Sequence, residues 1–360
     1  MDIASRFWSP QVQALAPYTP GEQPHGQRLI KLNTNENPYG PSPSVLEAIW
    51  AATNDDLRLY PDATSTELAR AIAKTHGLTD DHVFLGNSSD EVLAHAFNGL
   101  FRGKGAVLFP DITYSFYVTY CALYEIRFQQ IPLRSDFTLE PHDYDEPNGG
   151  IVIANPNAPT GIPLGLSQIE EIVQRNRDVV VLVDEAYVDF GAVSAASLIS
   201  RYDNLLVAQT FSKSRSLAGL RVGFAMGQPH LIEALRRIKD SFNSYPLDRL
   251  AQAGALAAWR DRDWFERTRK QVIESRECLA NELTEIGFSV LPSATNFLMV
   301  SHPEACAEDL LAGLRDQGIL VRHFRQPRIR DWLRISIGTP EECGLVLQGL
   351  TGLLRQQRKS

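Results

Sequence analysis

Between residues 83 and 226 short apolar runs recur: VFL (83–85), AVLF (106–109), IVIA (151–154), VVVLV (179–183), LLVAQ (205–209) and VGFAM (222–226). They are rich in β-branched and aliphatic residues and bounded by polar or small ones, so they read as strands buried on both faces. Runs 151–154 and 179–183 flank a segment with Ile169, Ile172 and Val173 at helical spacing. Ser167 and Glu170 fit a capping box that opens this helix. Strand, helix and strand in that order make a βαβ unit, which implies a largely parallel sheet and an α/β class.

The pattern changes near residue 262. A long helical stretch runs to about Ile286 and stops at Gly287, a residue suited to a helix C-terminus. NFLMV (296–300) reads as a strand, a helix with Leu310, Leu311 and Leu314 on one face stops before Gly318, and LRISIG (333–338) reads as a strand again. That is an α+β layout. We therefore expect an irregular arm over 1–34 packing with the smaller unit, a large α/β domain over 35–262, and a small α+β domain over 263–360.

A formal net charge of -8 disfavours a general nucleic-acid surface. No apolar run approaches the roughly 20 residues that span a bilayer, and MDIASRFWSPQ lacks the basic start and apolar block of an export signal. Cys121, Cys278, Cys306 and Cys343 are far apart and form no CxxC pair, which suits a reducing cytoplasm. The histidines form no HExxH pattern, so no metal site is expected.

The chemistry concentrates at strand ends. Asp184 follows VVVLV directly, at the carboxyl edge where open α/β sheets bind ligands. A carboxylate there needs a cationic partner, and a protonated pyridine would serve; capping the next turn is an equally good reading. Lys213 follows another strand among small polar residues, where a desolvated amine becomes nucleophilic. Taken singly it reads as a solvated loop lysine; the conjunction with Asp184, Ser212 and Arg221 carries the weight. In LGNSSDEVL, Ser88 and Glu91 fit a capping box that leaves the N–H groups of Ser89 and Asp90 open to an anion. On this segment alone a capped helix with no ligand is the better reading, and Asp90 and Glu91 oppose an anion unless Ser212 and Arg221 complete the cradle.

With those residues in view, the chain resembles the fold-type I pyridoxal-phosphate aminotransferases. The matching segments are KLNTNENPYGPSP (31–43), LYPDATSTEL (59–68), LGNSSDEVL (85–93), TYSFY (113–117), NPNAPTG (155–161), VDEAYVDF (183–190), TFSKSRSLAGLRVGF (210–224), PSATNFL (292–298) and GILVR with LRISIGTPEE, in family order over nearly the whole chain. The resemblance implies pyridoxal 5'-phosphate held as an imine on Lys213, with Asp184 on the pyridine nitrogen and Tyr187 on the ring hydroxyl. It implies Tyr114 stacked on the ring. Ser89 and Asp90 (through backbone N–H groups), Thr210, Ser212 and Arg221 would make up the rest of the cofactor site. Tyr60 is implied to reach the partner subunit's site, which makes a homodimer. Arg334 and Arg322 are implied as the substrate-anion pair, with Tyr18 and Asn35 lining the entrance; Arg325, Arg328 and Arg330 are expected to be solvated.

Two positions depart from the family. Ala158 stands where an asparagine usually binds the ring hydroxyl, so Asn157 is carried only as a substitute, and Ser88 stands where glycine is usual. The implied reaction takes the amino group of histidinol phosphate to 2-oxoglutarate, a step of histidine biosynthesis. An aromatic amino-acid aminotransferase and a phosphorylated-amino-acid decarboxylase on the same scaffold remain open alternatives.

Overall fold

The computed structural model describes residues 6–17, 21–23 and 29–357. Its strands are β1 (Ile30–Lys31), β2 (Val83–Asn87), β3 (Val107–Pro110), β4 (Phe128–Ile131), β5 (Gly150–Ala154), β6 (Val181–Asp184), β7 (Leu205–Thr210), β8 (Val222–Gly227), β9 (Ser289–Val290), β10 (Phe297–Ser301), β11 (Ile319–Leu320), β12 (Arg322–His323) and β13 (Leu333–Ser336). Seven of them form one sheet in the order β2-β8-β7-β6-β5-β3-β4. β8 runs antiparallel to both of its neighbours, and every other neighbouring pair is parallel. The chain is α/β, as the alternation of runs predicts.

Alternate residues of the central strands serve two cores. Ile151, Ile153, Val181, Val183, Leu205 and Val207 face one side, where Ile169, Ile172 and Val173 of the helix Leu166–Arg175 pack. Val152, Leu182, Leu206 and Ala208 face the other, against Val92 and Leu93 of the helix Ser88–Ala96 and Leu231 and Leu235 of the helix Pro229–Asp240. Burial on both faces is why these strands read as continuous apolar runs rather than alternating ones.

The expected helix starts are shifted. The helix Leu166–Arg175 begins after Gly165, whose N–H donates to Gln168 Oε1 at 3.2 Å, so the cap is not the Ser167–Glu170 box. Ser88 and Glu91 also do not pair. Glu91 accepts the Asn87 N–H, one residue earlier, and Ser88 Oγ accepts the Asp90 N–H at 3.1 Å. In both cases a nearby polar side chain wins because the chain turns sooner than spacing alone suggests. β4, FQQI, carries no apolar run and was not read from sequence; pairing with β3 at the sheet edge makes it a strand.

The C-terminal part holds an antiparallel sheet in the order β12-β13-β10-β9, with a core that includes Leu279, Leu298, Leu314, Ile335 and Val346. The long helix Arg262–Glu285 ends before Gly287 at φ 98, the left-handed conformation that glycine supplies. Leu32 of the arm enters this core, and β1 pairs with β11. Gln11 instead reaches the Leu123 carbonyl on the helix Phe116–Tyr124, so the arm touches both parts.

Candidate active site

β5, β6 and β7 end side by side at Ala154, Asp184 and Thr210. Because β8 is antiparallel, Arg221, just before its first residue, lies at that same edge beside the exit of β2. Strand direction thus gathers residues far apart in sequence. One cavity is lined by Ser89, Asp90, Tyr114, Asp184, Tyr187, Thr210, Ser212, Lys213 and Arg221, nine of the residues singled out from sequence.

Asp184 is buried at the floor. Its partners are neutral: the Tyr117 hydroxyl at 2.8 Å and the Ala186 N–H at 3.3 Å. Burial lifts its carboxyl from 3.8 to about 6, against the pull of those two donors. Burial and Asp184 push the Tyr117 phenol up, so it keeps its proton and donates. Tyr117 was not read as a site residue; nothing short of the sheet packing shows that a helix residue meets that carboxylate. The arrangement suits a cation at the open side of Asp184.

Lys213 Nζ lies 3.3 Å from the Thr34 carbonyl and 5.7 Å from the Tyr187 ring centroid. Asn37 Nδ2 donates to the Lys213 carbonyl at 3.0 Å and fixes the backbone beneath it. Thr34 and Asn37 lie in the NTNEN segment and place the arm's end directly against the amine.

At the other end of the cavity, Ser88 adopts φ 69 and Arg221 φ 57, both left-handed. Ser88 occupies a conformation that glycine takes at no steric cost, and its hydroxyl offsets the strain by accepting from Asp90 N and donating to the Asp90 carboxylate at 2.9 Å. The Asp90 carboxylate also accepts from Arg221 at 2.7 Å and from the Tyr114 hydroxyl at 3.2 Å. Asp90 is therefore neutralised by the guanidinium, which answers the objection that its charge would repel an anion. Thr210 Oγ1 accepts the Ser212 N–H at 3.1 Å and donates to Ser212 Oγ at 3.0 Å, fixing that hydroxyl at the rim.

A second cavity adjoins the first and shares Thr34, Tyr114, Tyr187 and Lys213 with it; Asn35, Arg322 and Arg334 line its far side. The Arg334 guanidinium lies 5.2 Å from the Phe297 ring centroid and 5.4 Å from that of Phe324, and donates to the Asn33 carbonyl at 3.0 Å. Arg325 sits at the exposed rim of this cavity. Arg328 is not merely solvated: it pairs with Asp111 at 2.7 Å and donates to the Leu133 and Arg134 carbonyls at 2.9 Å, tying the two parts together. Arg330 is exposed.

Two positions named from the sequence fall elsewhere, and a third is not among the described residues. Asn157 turns away from the cavity; its amide donates to the Ile112 carbonyl at 2.9 Å and to Thr160 Oγ1 at 3.0 Å, and Ala158 faces both cavities instead. Asn157 is thus not a substitute for the family's asparagine. Tyr60 is 79% exposed and stacks on Tyr245 at 4.6 Å, outside its own chain's cavity. Tyr18 lies outside the described residues.

Residues 27–350 match the model of the family "Aminotransferase class I and II". This chain belongs to that family. The aminotransferase is 59% identical to the histidinol-phosphate aminotransferase of Pseudomonas putida over 96% of its own length and 100% of the relative's. It is 57% identical to that of Gluconacetobacter diazotrophicus, over 97% and 98% of the two chains. Among solved structures, the histidinol-phosphate aminotransferase of Sinorhizobium meliloti in complex with pyridoxal-5'-phosphate superposes with a TM-score of 0.87, 25% identity, and coverage of 97% and 98%. In this aminotransferase the strand-end cavity is where sequence and fold converge.

Proposed function

We propose that this aminotransferase moves the amino group of histidinol phosphate to 2-oxoglutarate, with pyridoxal 5'-phosphate in the first cavity and the substrate anion in the second. The observation that carries the reading is the pairing of a buried acid whose protein partners are neutral, Asp184, with an amine across the same cavity, Lys213. The high identity to relatives named for this substrate supports the choice of donor.

The residues fit the cofactor. A pyridinium would meet Asp184, whose carboxyl has only neutral hydrogen-bond donors among the described residues, and a phosphate would be held by Ser89, Ser212 and Arg221 at a helix start. When bound, pyridoxal phosphate supplies an aldehyde that exchanges with amines and a ring that draws electrons from the substrate Cα. The chain's own part is to position and to move protons. Lys213 would be the amine that holds the cofactor and the base that takes and returns the Cα proton. Asp184 keeps a positive charge opposite it. Tyr114, which lines the cavity, would cover the ring, and Tyr187 would donate to its oxygen. Arg322 and Arg334 hold the phosphate of one substrate and the distal carboxylate of the other, since a guanidinium fork suits both anions.

Mixing purified holoenzyme with histidinol phosphate alone should bleach the cofactor's visible absorption and yield one equivalent of aminated cofactor. Phenylalanine should do so far more slowly. Release of carbon dioxide from a phosphorylated amino acid, with no oxo acid added, would favour the decarboxylase alternative instead.

Arg334→Ala is expected to leave the cofactor's absorption intact and raise KM about 10- to 100-fold for both substrates, the loss of a charge-assisted hydrogen bond. Steady-state kinetics with each substrate varied checks this; unchanged KM for both removes Arg334 from the assignment.

A pH effect follows from Asp184 and its neighbour Glu185. Burial raises Glu185 to about 7, although Ser194, Ala195 and Gln209 donate to it. Each acid holds its proton to higher pH in the folded chain than in the unfolded one. The folded state therefore binds more protons between roughly pH 4 and pH 7, and stability falls as pH rises through that window. The cofactor-free protein should melt several degrees lower near pH 8 than near pH 5. The loaded protein should lose less, because the pyridinium offsets the charge on Asp184. Melting curves of both forms across pH test this, and a flat profile for the cofactor-free form contradicts it.

We further propose that the enzyme is a cytoplasmic homodimer with the domain division 1–34, 35–262 and 263–360. Trp50, 85% exposed, and Leu46, Leu57 and Tyr60 offer apolar surface near one another in the chain, and Tyr60 would complete the partner's phosphate site. All four cysteines are free, which suits a reducing compartment. Among the described residues, no helix is long and apolar enough to cross a membrane. Light scattering should give twice the chain mass.

A further inference from the structure

We infer that Asn35 is a positioning residue that fixes the direction of the Tyr187 hydroxyl proton. The inference rests on the reading above, in which Tyr187 donates to the cofactor's ring oxygen.

Asn35 is buried, at 1% exposure, and held in the left-handed region at φ 57. Asparagine tolerates that conformation better than most residues. Its backbone is pinned to the C-terminal sheet. The Asn35 N–H donates to Ser336 Oγ at 2.9 Å, and the Asn35 carbonyl accepts from Asn296 Nδ2 at 2.9 Å. Ser336 then has one proton to give, and gives it to Asn35 Oδ1 at 2.9 Å. The oxygen is engaged by Ser336, so the NH2 end points at the Tyr187 hydroxyl, 2.9 Å away.

The consequence lies in the phenol. A tyrosine hydroxyl can accept or donate. By donating to it, Asn35 occupies the acceptor side and leaves Tyr187 to spend its proton on the cavity, where it and Lys213 line both pockets. The Tyr187 ring is also held edge-on by Phe297 at 5.1 Å, so ring and proton are both oriented. Asn157, which might have shared the task, is committed to Ile112 and Thr160 on the far side of its turn. Asn35 thus links the small antiparallel sheet to the reacting end of the large one through a single amide.

The experiment is a pH titration of the cofactor's visible absorption in the holoenzyme, which reads proton affinity at the nitrogen linking cofactor to Lys213 without turnover. A phenol that donates to the ring oxygen competes for the electron pair that helps hold that proton, and so lowers the midpoint. Tyr187→Phe should raise the midpoint by about half to one pH unit, the scale of one hydrogen bond. Asn35→Asp should raise it similarly, because an ionised carboxylate accepts the Tyr187 proton and draws it out of the cavity. Ser336→Ala, which releases the amide but leaves Asn35 in place, should give a smaller rise and serves if Asn35→Asp fails to hold cofactor. Adding Asn35→Asp to Tyr187→Phe should give no further rise.

If Tyr187→Phe moves the midpoint while Asn35→Asp and Ser336→Ala leave it at the parent value, the inference is overturned and the proposed function stands. A second full shift from Asn35→Asp in the Tyr187→Phe background also overturns it, since the effect would not pass through the phenol. No movement in Tyr187→Phe itself removes the ring contact and the inference with it.

Discussion

Lys213→Ala is expected to cut turnover by at least about 10⁴-fold while leaving the fold intact, because one side chain is asked to be both nucleophile and proton carrier. Losses of that kind do not divide between roles, since neither step proceeds without the other. The geometry supports a single amine in both. Lys213 Nζ rests 3.3 Å from the Thr34 carbonyl and lines both cavities together. Its backbone is fixed from below by Asn37, so truncating the side chain removes chemistry and little packing. Lys213→Arg should fail almost as badly, since a guanidinium keeps its proton at any working pH. Borohydride reduction of the parent holoenzyme, followed by peptide mass analysis, should mark Lys213, and both variants should remain unmarked. Turnover above about one per cent of the parent in Lys213→Ala would end the assignment.

Gly223→Ala is expected to have the next largest effect, on the order of 10²-fold, through a methyl group that touches no substrate. A Cβ at Gly223 would meet Ser89 N at 2.2 Å, Ser88 C at 2.4 Å and Ser88 O at 2.8 Å, all of them backbone. No rotamer relieves such contacts. β8 cannot retreat, because Gly223 is paired with Gly86 of β2 on one side and Thr210 of β7 on the other. The start of the helix Ser88–Ala96 must lift instead, carrying with it the amides of Ser89 and Asp90 and the Asp90–Arg221 pair. Overpacking of this kind costs about 1–3 kcal/mol or more, and a displacement of about an ångström in a binding group can cost on the order of 10²-fold. We expect the variant to melt several degrees lower and to lose cofactor on gel filtration. A variant with parental melting temperature and cofactor content would show that this edge yields more easily than its backbone contacts imply.

The two sites differ in how far they can be read from sequence. Asp184 follows an apolar run directly and Lys213 comes three residues after the end of β7, and a strand places its end at the sheet's edge whatever lies around it. Arg221 was legible as the residue before a strand, but its arrival at the same edge depends on β8 running antiparallel, and the run VGFAM looks the same in either direction. Ser88 and Glu91 have capping-box spacing, yet the turn begins one residue earlier and Glu91 takes Asn87. Asn157 shares a turn with Ala158, and only the path of that turn against Ile112 decides which of them faces the cavity. Tyr117, Asn35 and Gly223 gave no local signal of their roles, because each acts on a partner from another element.

The sequence alone determined where the inner strands of the large sheet and the bodies of several helices lie, and which strand ends carry an acid, an amine and a guanidinium, because side-chain periodicity records how each backbone segment is buried. The tertiary structure decided which of those groups meet: Tyr117 with Asp184, Asn35 with Tyr187, and the backbone of Ser88 and Ser89 with Gly223. Those contacts join residues from separate elements. They are set by strand direction, helix packing and the turn of a loop, and no residue's local spacing encodes them.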